Sequence, residues 1–178
     1  DFEKMKHYRV FLLTILIGTV LIFSYLAWKR CHVWKDSMTL WNDVLKKYSN
    51  APQAYNNRGN AYSRRGEYDR AISDYTCAIK YNPVHIDAYN NRGLAYYAIG
   101  EYDKAISDYN QTLRINPGYP DAYNNLGVAY ATRGETEKAI TNYREAIRLK
   151  PDYVDAYNNR GLAFYDRREY DMAIADHN

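Results

Sequence analysis

Apolar residues are distributed along this chain in two different ways. Residues 10–28, VFLLTILIGTVLIFSYLAW, run for 19 positions without a charge. A helix of that length spans roughly 28 Å, close to the ~30 Å hydrocarbon core of a bilayer. The run therefore predicts a transmembrane helix over about 10–28, with Tyr25 and Trp28 near one end and Trp34 just beyond, where interfacial aromatics sit. It is longer than the apolar stretch of a secretory signal. It ends in Leu26-Ala27-Trp28-Lys29-Arg30, a poor cleavage site. Lys4, Lys6 and Arg9 flank one side and Lys29, Arg30 and Lys35 the other, so charge asymmetry does not orient it.

From residue 52 onward the apolar positions are periodic. Gly59, Gly93, Gly127 and Gly161 recur every 34 residues, as do Ala71, Ala105, Ala139 and Ala173, and Pro83, Pro117 and Pro151. The repeats run 52–85, 86–119 and 120–153, and a fourth, 154–178, stops short. Within each unit, positions 4, 8 and 11 (Tyr55, Gly59 and Tyr62 in the first) form an i, i+4, i+7 stripe that predicts a first helix. A glycine at position 15 (Gly66, Gly100, Gly134) suits a left-handed helix cap. A second helix follows, with Tyr68, Ala71, Tyr75 and Ala78 on one side, and the proline closes the unit. Thirteen of the 21 tyrosines fall at positions 4, 11, 17 and 24, which makes them packing residues with hydroxyls at polar edges. Before the first repeat, Ser37 to Lys47 shows one apolar side from Leu40, Trp41, Val44 and Leu45. It occupies the place of a preceding second helix, with Trp41 at position 24. Residues 1–35 thus read as a membrane anchor and 36–51 as a capping helix or degenerate half-repeat, needed because stacked repeats bury their faces only on neighbours.

This pattern closely resembles the tetratricopeptide repeat, whose 34-residue unit carries aromatic, Gly, Ala and Pro residues at these places. The resemblance implies an all-α solenoid, a right-handed superhelix of helix-turn-helix units whose first helices line a concave face. Three features depart from the family pattern. Position 7, usually Leu, is Arg58, Arg92 and Arg160, with only Leu126 matching. Arg168 replaces a cap glycine, and Thr112 stands where Ala is expected.

The resemblance also points to function, because such repeats mostly bind protein. Positions 5 and 6 hold Asn56-Asn57, Asn90-Asn91, Asn124-Asn125 and Asn158-Asn159. Asn costs several tenths of a kcal/mol against Ala inside a helix, so eight of them need a reason. One is a ladder of carboxamides, able to donate and accept at once and so to hold an extended polypeptide by its backbone. The repeat arm of O-GlcNAc transferase is similar, with Asn at the position of Asn57, Asn91, Asn125 and Asn159. The other is descent from one duplicated unit. Tyr97 and Tyr165, beside Leu94 and Leu162, would add apolar contact. The Lys and Arg clamp by which some chaperone adaptors hold a terminal carboxylate is absent. In its place stand Asn at position 5 and Gln53, Asp87, Asp121 and Asp155 at position 2. These carboxylates suit a helix N-terminus, and facing a groove they would disfavour an acidic ligand.

Charge narrows the picture further. Residues 1–51 carry 8 basic and 4 acidic residues, and residues 52–178 carry 16 and 17, so the overall +3 belongs to the N-terminal part. The repeats have no reason to seek phosphate, and no nucleic-acid partner is expected. His7, His32, His85 and His177 share no spacing, Cys31 and Cys77 are far apart, and no metal, cofactor or catalytic constellation is expected. The visible chain is therefore not expected to be an enzyme. The expected partners are a protein or peptide and the lipid bilayer. The junction of apolar helix and repeats also resembles polytopic membrane proteins with C-terminal repeat arrays, some of them similar to lipid-sugar-dependent glycosyltransferases. That resemblance implies an alternative, a substrate-presenting arm of such an enzyme with the repeats on the extracytoplasmic side. A start at Asp1 and an end at Asn178, inside a helical pattern, are expected of a piece of a longer protein.

Overall fold

The computed structural model describes residues 2–33 and 37–177, leaving Trp34 and Lys35 of the expected interfacial flank outside. The side chains of Lys29, Arg30, Cys31, His32 and His177 also lie outside the described set. The described residues form helices and no strands: α1 Phe2–Val33, α2 Ser37–Lys47, α3 Pro52–Arg64, α4 Tyr68–Tyr81, α5 Ile86–Ala98, α6 Tyr102–Ile115, α7 Pro120–Thr132, α8 Thr136–Leu149, α9 Val154–Asp166 and α10 Tyr170–His177. Lys4–Trp28 of α1 is long and apolar enough to cross a membrane, and its large apolar side chains among the described residues are exposed.

From α3 on, helices alternate as the 34-residue period predicts. Pro52 and Pro120 begin α3 and α7, where a missing N–H costs nothing. Each first helix ends in the same turn. Gly66, Gly100 and Gly134 take φ of 74°, 81° and 76°. The next residue donates its N–H five residues back: Glu67 to Tyr62 at 3.0 Å, Glu101 to Tyr96 at 2.9 Å and Glu135 to Tyr130 at 2.9 Å. In the fourth repeat Arg168 adopts φ 62° and Glu169 still bonds Phe164, so the turn survives without its glycine.

Position 8 explains why the two helices of a unit pack so closely. A Cβ on Gly59, Gly93 or Gly127 would stand 2.7, 2.6 or 2.5 Å from the ring of Tyr75, Tyr109 or Tyr143 respectively. The tyrosine at position 24 lies against the bare backbone of its own first helix and is buried there. Burial pushes the Tyr75 phenol up to about 12, and those of Tyr109 and Tyr143 are raised as well.

The apolar clusters join one repeat to the next. Ala105, Ile106 and Tyr109 of the second repeat pack with Leu126 and Ala129 of the third. Ala139, Ile140 and Tyr143 of the third pack with Ala163 and Phe164 of the fourth. At the N-terminal end α2 packs on α3 and buries Met38 and Leu45.

The arginines at position 7 form a second tie. Arg58 donates through Nε and Nη2 to both oxygens of Asp74, each at 2.7 Å. Arg92 grips Asp108 at 2.8 and 2.8 Å, and Arg160 grips Asp176 at 2.8 and 2.5 Å. A free Nη1 then reaches back to the preceding second helix, Arg58 to Asn42 at 2.8 Å and Arg92 to Thr76 at 3.0 Å. Asn42 lies in α2. The third repeat has Leu126, buried, and correspondingly Asn142 instead of Asp. Thr112, fully buried, returns its hydroxyl to the carbonyl of Asp108 at 3.0 Å.

Candidate concave-face groove

Neighbouring first helices touch directly, α3 with α5, α5 with α7 and α7 with α9, and no comparable contact joins α4 to α6 or α6 to α8. The first helices therefore form the inner side of the stack, and the residues they turn outward between repeats line its concave face.

The eight asparagines divide by position. Asn56, Asn90 and Asn124 are 3, 6 and 7% exposed. Each accepts, through Oδ1, from the position-6 amide of the next repeat: Asn91 to Asn56 at 3.2 Å, Asn125 to Asn90 at 3.2 Å and Asn159 to Asn124 at 3.0 Å. The carboxamides thus run as a relay between repeats, and position 5 faces the neighbouring helix rather than open solvent. Asn158 has no following repeat in the described structure and is exposed. Asn57, Asn91, Asn125 and Asn159 are half-buried. The last three spend donors on the relay, which leaves their Oδ1 to accept. Asn57 accepts from Gln53 at 3.3 Å.

Between α3 and α5 a cleft of about 290 Å³ is lined by Asn60, Ser63, Arg64, Tyr75, Asn91 and Leu94. Asn60 receives both the Tyr75 hydroxyl at 2.8 Å and the Asn91 amide at 3.1 Å. In the second repeat Leu94 replaces that acceptor, and the buried Tyr109 hydroxyl has no partner. Tyr97 lies between α5 and α7, its hydroxyl 2.9 Å from Thr132 Oγ1 and its ring against Tyr102. Tyr165 pairs with Tyr170 in the same way. Among the described residues, Leu162, Tyr165, Tyr170, Ala173 and Ile174 line an open apolar cleft of about 370 Å³.

Asp87, Asp121 and Asp155 stand exposed in the first turns of α5, α7 and α9 and make no ion pair among the described residues. Tyr119 and Tyr153 lie between successive members of this row. Burial first, then Asp87 and Asp121, raise the Tyr119 phenol. Burial, Asp121 and Asp155 raise that of Tyr153. Among the described residues no group of His, Cys, Asp and Glu could hold a metal ion.

Sequence reasoning singled out the asparagines but not their partners, and it missed the position-7 Arg with position-23 Asp altogether. The signal was present as a matched change, Arg with Asp in three repeats and Leu with Asn in one.

Family models described as tetratricopeptide repeat match residues 35–76, 56–120 and 108–141, and one described as TPR repeat matches 129–167. A crystal structure of MamA is 30% identical over 76% of this chain and 80% of that one, with a TM-score of 0.72. MamA 41-end from Desulfovibrio magneticus RS-1 shares the fold at 22% identity and a TM-score of 0.74, over 84% of this chain and 86% of that one. The first TPR of Spaghetti (RPAP3), bound to the HSP90 peptide SRMEEVD, is 27% identical with a TM-score of 0.64, over 66% of this chain and 93% of that one. No curated protein sequence matches the chain.

Proposed function

Because this chain belongs to the tetratricopeptide repeat family, we propose that it is a protein-interaction scaffold that holds an extended segment of a partner on its concave face, tethered to a bilayer by α1. The observation that carries the groove is the row of first helices in direct contact. Unspent Asn acceptors, Leu94, Tyr97 and exposed carboxylates without an ion pair among the described residues, all carried on that row, support reading it as the binding face. The similar RPAP3 repeat, bound to an HSP90 peptide, supports peptide binding on this architecture. The tether rests on the exposed apolar surface of Lys4–Trp28, which in water would leave an apolar patch far beyond what monomeric soluble proteins carry.

Selection of displayed peptides on the immobilised full chain in detergent tests the groove. Enriched peptides are expected to lose binding to Leu94→Lys, a change at a position 42% exposed that leaves helicity intact. Enrichment indifferent to that change sinks the concave-face reading. For the tether, the chain is expected to float with liposomes and to resist carbonate extraction. Recovery in the soluble fraction would overturn it.

A further inference from the structure

The groove reading leaves open what kind of segment the face selects. At positions 2, 6, 9, 12 and 13 of the four first helices the one cation is Arg64, against Asp87, Asp121, Asp155 and Asp166. The first three carboxylates are exposed, make no ion pair among the described residues and are placed once per repeat, Asp87 and Asp121 accepting from the Tyr119 and Tyr153 hydroxyls. Acidic segments are repelled along this line, and basic side chains find a partner at each step.

The repeat spacing also restricts backbone conformation. Packed helices lie about 8–10 Å apart. A polyproline-II segment has 3 residues per turn at about 3.1 Å each, so every third side chain returns to one face after roughly 9 Å. A β-strand returns every second side chain after about 6.7 Å and falls out of step. Between the carboxylates, Tyr119 and Tyr153 supply aromatic surface of the kind on which such segments dock. The Oδ1 atoms of Asn91, Asn125 and Asn159, unspent in the relay, accept from the segment's backbone N–H groups.

We propose that the concave face selects a basic polyproline-II segment, with a lysine or arginine at every third residue set against Asp87, Asp121 and Asp155 in turn. This rests on the concave-face reading above and adds charge, conformation and register to it.

The test uses the full chain in a zwitterionic detergent and three fluorescein-labelled peptides. One is Pro-Pro-Lys repeated four times, one has the same composition with its lysines in a block, and one has Glu for Lys. Fluorescence anisotropy is expected to show the spaced peptide binding at least tenfold more tightly than the block peptide, weakening as salt rises, with no binding of the Glu peptide. The isosteric triple variant Asp87→Asn, Asp121→Asn, Asp155→Asn is expected to weaken the spaced peptide about tenfold. Equal binding of spaced and block peptides, or an unchanged affinity in the triple variant, overturns the proposal. The groove reading survives that result if Leu94→Lys still abolishes binding. Failure of all three peptides to bind overturns the proposal, and the displayed-peptide selection then decides the groove separately.

Discussion

Tyrosines at one repeat position occupy different chemical surroundings. Tyr75 donates to Asn60, whereas Tyr109, equally buried, has Leu94 at the equivalent place and an unpartnered hydroxyl. A typical buried hydrogen bond contributes about 1 kcal/mol, and an unsatisfied buried polar group costs about 1–3 kcal/mol. Tyr75→Phe should therefore lower stability by about 1 kcal/mol and Tyr109→Phe should leave it equal or raise it, read from urea midpoints. Equal losses in both would contradict the assignment. The glycine beneath each ring can be tested in the same way. Gly93→Ala places a methyl 2.6 Å from the Tyr109 ring. Overpacking of this kind costs about 1–3 kcal/mol, whereas the same substitution at an ordinary helix interior gains up to about 1 kcal/mol from propensity. A gain at Gly93 would mean that the ring moves away freely.

The two helices of a repeat are tied by an arginine and an aspartate, and the third repeat lacks both. Removing one partner of such a largely buried pair leaves an uncompensated charge and costs about 3 kcal/mol. Arg92→Leu alone should thus be strongly destabilising. Arg92→Leu with Asp108→Asn should recover most of the loss, because it recreates the Leu126 and Asn142 combination already in the chain. A double-mutant cycle by chemical denaturation gives the coupling directly, and additive losses would refute it. This pair also marks where sequence reading ran out. The helices, their caps and the tyrosine and glycine columns were legible because each is written in local spacing. The Arg–Asp pair joins positions 16 residues apart on different helices, and it shows only when two columns are compared across repeats. The asparagines were visible as a residue type, but whether they met a ligand or each other depended on how adjacent first helices lie. The answer was a relay at position 5 with spare acceptors at position 6.

Across the whole stack the buried tyrosines give stability a pH limit. A phenol whose folded pKa is raised keeps its proton longer in the folded state. Its contribution is complete below about pH 10 and is lost as pH rises toward the folded value, about 12 for Tyr75. Each such group removes about 1.4 kcal/mol per pH unit in that window, and Tyr109 and Tyr143 add to it. The urea midpoint should hold steady to about pH 9.5 and fall steeply by pH 11, with a shallower fall in Tyr75→Phe. A flat profile through pH 11 would show that the rings are already accessible in the native state. The same stack has a mechanical side. Its inner edge is pinned by helix-on-helix contact and the carboxamide relay, while the second helices have no comparable contact with one another. Bending is therefore taken up by the outer edge opening and closing, and the inner edge behaves as a line of fixed length. Thermal flexing changes the curvature of the arm without stretching the row of asparagines along it.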